Sequence, residues 1–266
     1  ENGNDGLVIA GTTGESPTLT HDEQVALIEA VVEAVDVPVI AGTGSNDTKA
    51  AIELTKRAEK VGAAGILSVT PYYNRPPQSG LTAHFSRIAE ATELPVMLYD
   101  IPVRSGKKIE TETLLELAHT VSNIVALKDA AGDPGETAVL LSQAPENFEV
   151  YSGDDSLNLA LLAIGAVGVI GVATHWTGKE HQNLVKALFD GEIEQAQKIN
   201  ASLQPSFAYE STIDAPNPIP AKVMMNILGF NVGLGRPPMD VIPEGLQKLA
   251  KSVVSQTLIG KSMEIS

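Results

Sequence analysis

A parallel α/β fold of the (β/α) barrel type is predicted by three features of the sequence. Short apolar runs rich in Val and Ile recur, they lack the apolar/polar alternation of a half-exposed sheet, and longer stretches with helical periodicity separate them. Strand and helix in alternation mean a parallel sheet with right-handed crossovers. A doubly wound sheet and a closed barrel both satisfy that pattern, but the repeat runs through seven units without a break in composition, which favours the barrel. The predicted strands are 7–10, 37–41, 65–69, 94–99, 124–127, 148–152 and 167–172. The helices between them are predicted at 21–35, 47–60, 80–92, 111–121, 135–142, 157–164 and 179–189. In the first, Val25, Leu27, Ile28, Val31 and Val32 share one side, and Thr20 with Glu23 makes a capping-box pattern at its start. Beyond about residue 191 the sequence is mostly helical, with apolar periodicity at 193–203, 219–228 and 243–254. The expected organisation is a catalytic barrel over 1–190 and a helical region over 191–266 packed on it.

Composition narrows the function classes. Of 266 residues 43% are hydrophobic and 19% charged, which fits one large globular domain or two small ones. Eighteen Lys and Arg stand against 33 Asp and Glu, a net charge of −15, so nucleic acid and anionic membrane are poor partners. With no cysteine, disulfides, thiolate catalysis and Cys-ligated metals are excluded. No apolar run approaches the roughly 20 residues that span a bilayer, and the acidic start Glu1-Asn2-Gly3-Asn4-Asp5 is unlike a signal peptide; the expected setting is reducing and cytoplasmic.

In parallel barrels the site is built at the C-terminal ends of the strands. Lys128 closes the run Ile124-Val125-Ala126-Leu127, where a desolvated ammonium would have a lowered pKa and its neutral amine could attack a ketone to form a Schiff base. The alternative is an ion pair with Asp129 or another strand-end carboxylate. Tyr99, at the end of the preceding strand, is either a proton donor and acceptor for the carbinolamine or a rim tyrosine packing on a loop. Thr12 and Thr13, between Gly11 and Gly14, suit a loop closing on a small carboxylate, or a plain tight turn. Arg104, after Pro102, could grip a carboxylate in a bidentate manner or be a solvated loop residue. Tyr72 and Tyr73 are read as a recognition loop, a subunit contact or packing. The five histidines show no metal-ligand spacing and are read mostly as helix-surface or capping residues, and Asp154-Asp155 as helix N-capping, so no metal is expected.

Taken in order, Gly11-Thr12-Thr13-Gly14-Glu15-Ser16, Thr70-Pro71-Tyr72-Tyr73-Asn74, Tyr99-Asp100-Ile101-Pro102-Val103-Arg104-Ser105-Gly106, Lys128-Asp129 and Ser152-Gly153-Asp154-Asp155 resemble the dihydrodipicolinate synthase (4-hydroxy-tetrahydrodipicolinate synthase) family of pyruvate-dependent class I aldolases. The resemblance runs on through Pro216-Asn217-Pro218-Ile219-Pro220-Ala221-Lys222. It implies a (β/α)8 barrel with a C-terminal helical region, lacking its first βα unit in this chain, since a strand ending in Thr-Pro and a helix normally open the family's sequences. It implies a homotetramer of tight dimers and no cofactor beyond a covalent pyruvate imine on Lys128, with an enamine that adds to L-aspartate 4-semialdehyde in lysine (diaminopimelate) biosynthesis. Tyr99 would be the general acid and base, with Thr12 relaying its proton to Tyr73 from a neighbouring subunit. Thr13 would hold the pyruvate carboxylate, Gly153 and Ile170 would line the pocket, and Arg104 would bind the carboxylate of the semialdehyde. Related N-acetylneuraminate lyases usually lack that arginine, and its retention argues against a sugar-acid or hydroxy-oxoglutarate aldolase. A non-catalytic pyruvate-binding relative is the reading of a different class. Ser16, His21, Asn46 and Tyr72 match an inhibitor site for lysine, but Gln24 and Ala50 stand where a His and a Glu are common, which implies weak or absent feedback inhibition by lysine. The tail 258–266 has no counterpart in the resemblance and is expected to be disordered or an edge extension.

Overall fold

A computed structural model of the chain describes residues 2–257; the tail 258–266 lies outside the described residues. The chain forms two compact units, one of Asp5–Gly11 with Leu19–Ile170, the other of Thr12–Thr18 with the described residues of 1–4 and those from Gly171 onward.

The first unit is an α/β unit around a seven-stranded sheet. Its strands are β1 (Leu7–Ile9), β2 (Val39–Gly42), β3 (Gly65–Val69), β4 (Val96–Asp100), β5 (Ile124–Asp129), β6 (Glu149–Ser152) and β7 (Gly168–Val169). They lie in sequence order, and every neighbouring pair is parallel. The connecting helices are α1 (His21–Ala34), α2 (Thr48–Lys60), α3 (Gln78–Ala89), α4 (Pro102–Ser105), α5 (Thr111–Thr120), α6 (Pro134–Gln143) and α7 (Asn158–Ala163). All seven predicted strands form, because runs buried on both faces leave this signature in a sequence. The last is shorter than its predicted span 167–172, although the Ile170 amide extends its pairing by donating to Ser152 O at 2.7 Å.

Local chemistry explains where the helices start. Thr20 and Glu23 form the expected capping box on α1, Asp47 caps α2 through Lys49 N at 2.9 Å, and Asp133 caps α6 with Pro134 in its first turn. Asp154 caps a short 3-10 turn through Ser156 N at 3.0 Å, as the capping reading of Asp154-Asp155 expected. On one face of the sheet Leu67, Tyr99 and Ile101 pack together with Val8, Ile40, Val69, Met97 and Ala130.

The second unit holds α8 (Thr174–Phe189), α9 (Ile193–Glu210), α10 (Ile219–Ile227) and α11 (Leu246–Gln256). Helix α8 starts earlier than the predicted 179, because Thr177 departs from helical geometry (φ −125°, ψ 31°) and breaks the apolar period there. The Thr177 hydroxyl donates to Ala173 O at 2.7 Å across this break. Trp176 is the largest buried side chain of the unit, its indole N–H donating to Ser206 Oγ at 3.1 Å and its ring edge-on to Tyr209.

Candidate active site

Parallel pairing puts the two residues of greatest chemical interest side by side. β4 and β5 are in register with Tyr99 opposite Lys128 and Asp100 opposite Asp129. Successive strand residues face opposite ways, so the first pair and the second serve opposite faces of the sheet. Lys128 Nζ lies 4.4 Å from the centroid of the Tyr99 ring, a cation–π distance that also brings ammonium and phenol into one small volume. Tyr99 is buried and Lys128 half-buried. Thr70 fixes the strand end beneath them, its amide and hydroxyl both donating to Tyr99 O, at 2.9 and 3.0 Å.

Gly153 completes this cluster from β6. Its amide donates to Asp129 O at 2.7 Å, and a Cβ built on it would lie 2.8 Å from both Cγ and Cε of Lys128. The lysine therefore runs across a surface that only glycine leaves open. Asp129, the nearest acid in sequence, accepts from the Ala131 amide at 2.9 Å and from the Thr137 hydroxyl.

Arg104 rides on α4, a single turn begun by Pro102 and closed by Gly106 in the left-handed region at φ +72°. The buried Ser105 hydroxyl donates to Ile101 O at 3.1 Å and to Lys107 O at 2.7 Å, while Arg104 itself is exposed. Tyr73 is tied to this turn through its amide, which donates to Ser105 O at 3.2 Å. Its side chain is 90% exposed and its φ is +72°, a conformation that costs a non-glycine residue on the order of 1–2 kcal/mol. A strained backbone presenting an aromatic ring outward is a feature of functional loops. Asn74 Nδ2 donates to Asn46 O at 2.8 Å, joining the loops after β2 and β3. Tyr72 is exposed in the same loop, and His21 is exposed at the first position of α1.

Behind Tyr99 and Lys128 lies an acidic pair. Burial pushes the Asp100 carboxyl up to about 6, Asp129 adds to that, and the Lys108 charge with the Ile109 amide offset part of it. Burial alone would depress Lys108, but its hydrogen bond to Glu136 and the charges of Asp100 and Asp129 hold it above the ordinary lysine value.

In the second unit, Thr12 and Thr13 lie in a turn clasped by Asn217, by Lys222 of α10 and by Arg236. Thr13 Oγ1 accepts from Asn217 Nδ2 at 2.9 Å. Glu15, at φ +61°, accepts from Lys222 Nζ at 2.7 Å and from the Arg236 amide at 2.7 Å. Burial pushes the Glu15 carboxyl up, but these two donors outweigh it and hold it below the ordinary carboxylate range. Arg236 also donates to Thr18 O at 3.0 Å, and Ser16 opens the intervening 3-10 turn Ser16–Thr18.

The sheet unit thus brings Tyr99, Lys128 and Gly153 together and joins the Tyr73 and Arg104 loops. Asn217, Lys222 and Lys108 carry no chemical reading in the sequence: the partners of Asn217 and Lys222 are distant in the chain, and Lys108 meets Asp100 across an irregular turn; Asn217 and Lys222 stand only within the Pro216-to-Lys222 motif. Two of the five histidines are core residues rather than surface ones: His84 and His181 are buried, with hydrogen bonds to Thr48 and Thr177. Among the described residues no group of three or more His, Asp or Glu is arranged to hold a metal ion, and no helix is long and apolar enough to cross a membrane.

Comparison with known proteins identifies the family. The model of the dihydrodipicolinate synthetase family matches residues 1–257. A 4-hydroxy-tetrahydrodipicolinate synthase of Halalkalibacterium halodurans is 50% identical over 240 residues, covering 90% of this chain and 80% of that protein. The Bacillus subtilis synthase is 44% identical over 258 residues, covering 96% of this chain and 88% of its own. Among solved structures, the enzyme of Cyanidioschyzon merolae with lysine bound superposes with a TM-score of 0.94 at 42% identity, covering 97% of this chain and 87% of that one. On its strand-end residues, its parallel sheet and its match to these proteins, the chain belongs to the dihydrodipicolinate synthetase family.

Proposed function

We propose that this chain is a lyase that condenses pyruvate with L-aspartate 4-semialdehyde to 4-hydroxy-tetrahydrodipicolinate through a Schiff base on Lys128. The observation that carries the reading is the Lys128 ammonium set 4.4 Å from the Tyr99 ring centroid on one rung of the sheet. The neutral amine adds to the pyruvate ketone, and the carbinolamine loses water to give an imine as a phenol beside it passes the protons. Loss of a methyl proton gives the enamine, whose carbon attacks the semialdehyde carbon while the aldehyde oxygen takes up a proton. The semialdehyde's amine then adds to the imine carbon, closes the ring and expels the Lys128 amine. The reaction consumes no oxidant and needs no cofactor beyond this imine.

In this reading Tyr99 is the general acid and base, Thr12 relays its proton to Tyr73 of a neighbouring subunit, and Thr13 holds the pyruvate carboxylate. Gly153 and Ile170 line the pocket, and Arg104 binds the semialdehyde carboxylate. Ser16, His21, Asn46 and Tyr72 match the family's inhibitor site for lysine, but Gln24 and Ala50 replace two of its residues, so feedback inhibition by lysine is weak or absent. The strained, outward Tyr73 supports its service in another subunit, within a homotetramer made of dimers. Seven parallel strands in sequence order support a (β/α)8 barrel of which this chain holds seven units, with the catalytic part ending at about 190 and a helical region following it. The names of the relatives support the synthase activity, and the proposed setting is lysine (diaminopimelate) biosynthesis in the cytoplasm.

Incubation with pyruvate and borohydride followed by mass spectrometry tests the chemistry. A reduced three-carbon adduct on Lys128, lost in Lys128→Ala together with condensation in a coupled assay, is expected. An adduct on another lysine, or activity that survives Lys128→Ala, would sink the proposal.

A further inference from the structure

The segment that carries Arg104 leaves β4 at Asp100 and returns to the same carboxylate. Ile109 N–H donates to Asp100 Oδ1 at 3.2 Å, and Lys108 Nζ lies 3.6 Å from Asp100 Oδ2. Lys108 reaches on to Glu136 Oε2 in α6 at 2.7 Å, while Gln78 of α3 donates to Lys108 O at 3.0 Å. Asp100 is fully buried beside the buried Asp129, and two carboxylates so placed need a cation between them. Lys108 is half-buried and its charge acts on both. Tyr99 and Lys128, by contrast, are held by the sheet ladder itself.

We propose that Lys108 is a positioning residue for Arg104: by stapling the returning segment to Asp100 and Glu136, it fixes the turn that binds the second substrate and leaves imine formation at Lys128 untouched. This rests on the aldolase reading above. The acid that the staple uses is the neighbour in sequence of Tyr99, so the charge that closes the turn also neutralises the acids behind the reactive pair.

The consequence is a split between the two substrates. In Lys108→Met the KM for aspartate semialdehyde should rise roughly tenfold, with the pyruvate KM and the borohydride adduct on Lys128 within about twofold of the unaltered chain. Lys108→Arg should restore the semialdehyde KM. Because Lys108→Met leaves buried acids without their cation, the double variant Asp100→Asn/Lys108→Met, which removes both charges, guards against a folding defect and should show the same split. Amide hydrogen exchange without substrate tests the staple whether or not condensation occurs: Ser105, Gly106 and Ile109 should exchange roughly tenfold faster in Lys108→Met and slow again in Lys108→Arg. Unchanged protection of those amides overturns the staple. Both KM values rising together, or neither rising, overturns the positioning role. Failure of pyruvate to label Lys128 in the unaltered chain would instead overturn the aldolase reading, and the exchange result would then decide the staple by itself.

Discussion

Gly153 shows how one absent carbon atom can set the aim of a reactive group. Its backbone hydrogen bond to Asp129 O locks β6 against β5, so the space above its Cα is fixed, and the Lys128 stem fills that space. A methyl group there would come within 2.8 Å of two Lys128 carbons, and the side chain would have to leave its rotamer. Gly153→Ala should slow imine trapping roughly 10- to 100-fold while the circular dichroism spectrum and the folded yield stay close to those of the unaltered chain. Trapping at an unchanged rate would mean that the lysine has a second workable path to its carbonyl. Lys128 and Tyr99 were legible in the sequence because their strand ends follow buried apolar runs. The need for glycine at 153 was not, since it depends on a side chain from a different strand.

At the scale of the element, the turn of Thr12 and Thr13 is held by residues about two hundred positions away in sequence. An amide N–H can only donate, so the bond from Asn217 Nδ2 uses the Thr13 oxygen as acceptor and leaves the single Thr13 proton for a donor role. Asn217→Asp offers only acceptors at neutral pH and would claim that proton. The pyruvate KM should rise roughly tenfold in this variant, as in Thr13→Val, and the double variant should be little worse than either, because both remove one donor. Additive losses would show that the two side chains act separately. The strands and most helices could be read from apolar periodicity, as β1 to β7 show. Where reading failed, the cause was local: the break at Thr177 hid the first turn of α8, and the one-turn α4 is too short to leave a period. The clasp on Glu15 left no sequence signal because an ion pair between distant residues has no spacing rule, and the staple on Asp100 left none because an ion pair across an irregular turn has none either.

For the molecule as a whole, two buried groups of the sheet unit set opposing pH dependences over nearly the same window. Asp100 faces Lys108 and Asp129, and burial raises its carboxyl from an ordinary 3.8 to about 6. Between those values the folded state binds the proton better than the unfolded one, so this group's contribution to stability falls as pH rises through the window. His84 does the reverse. It is buried against Phe85 with Thr48 on its Nδ1, and burial depresses it from 6.5 to about 4, against a small opposing effect of Asp47. The folded state there disfavours the proton, so stability is gained as pH rises from about 4 and is complete above 6.5. Linkage over the span from about pH 4.5 to about pH 6.5 puts each contribution at about 2 kcal/mol and of opposite sign, and the two largely cancel. Urea unfolding at those two pH values, read as a change relative to the unaltered chain, should expose each half. Asp100→Asn, with Lys108 still paired to Glu136, should gain about 2 kcal/mol more stability on going to the higher pH than the unaltered chain does. His84→Asn should gain about 2 kcal/mol less. Equal slopes in all three proteins would show that neither group's proton affinity differs between the folded and unfolded states, and that the two opposing contributions do not exist.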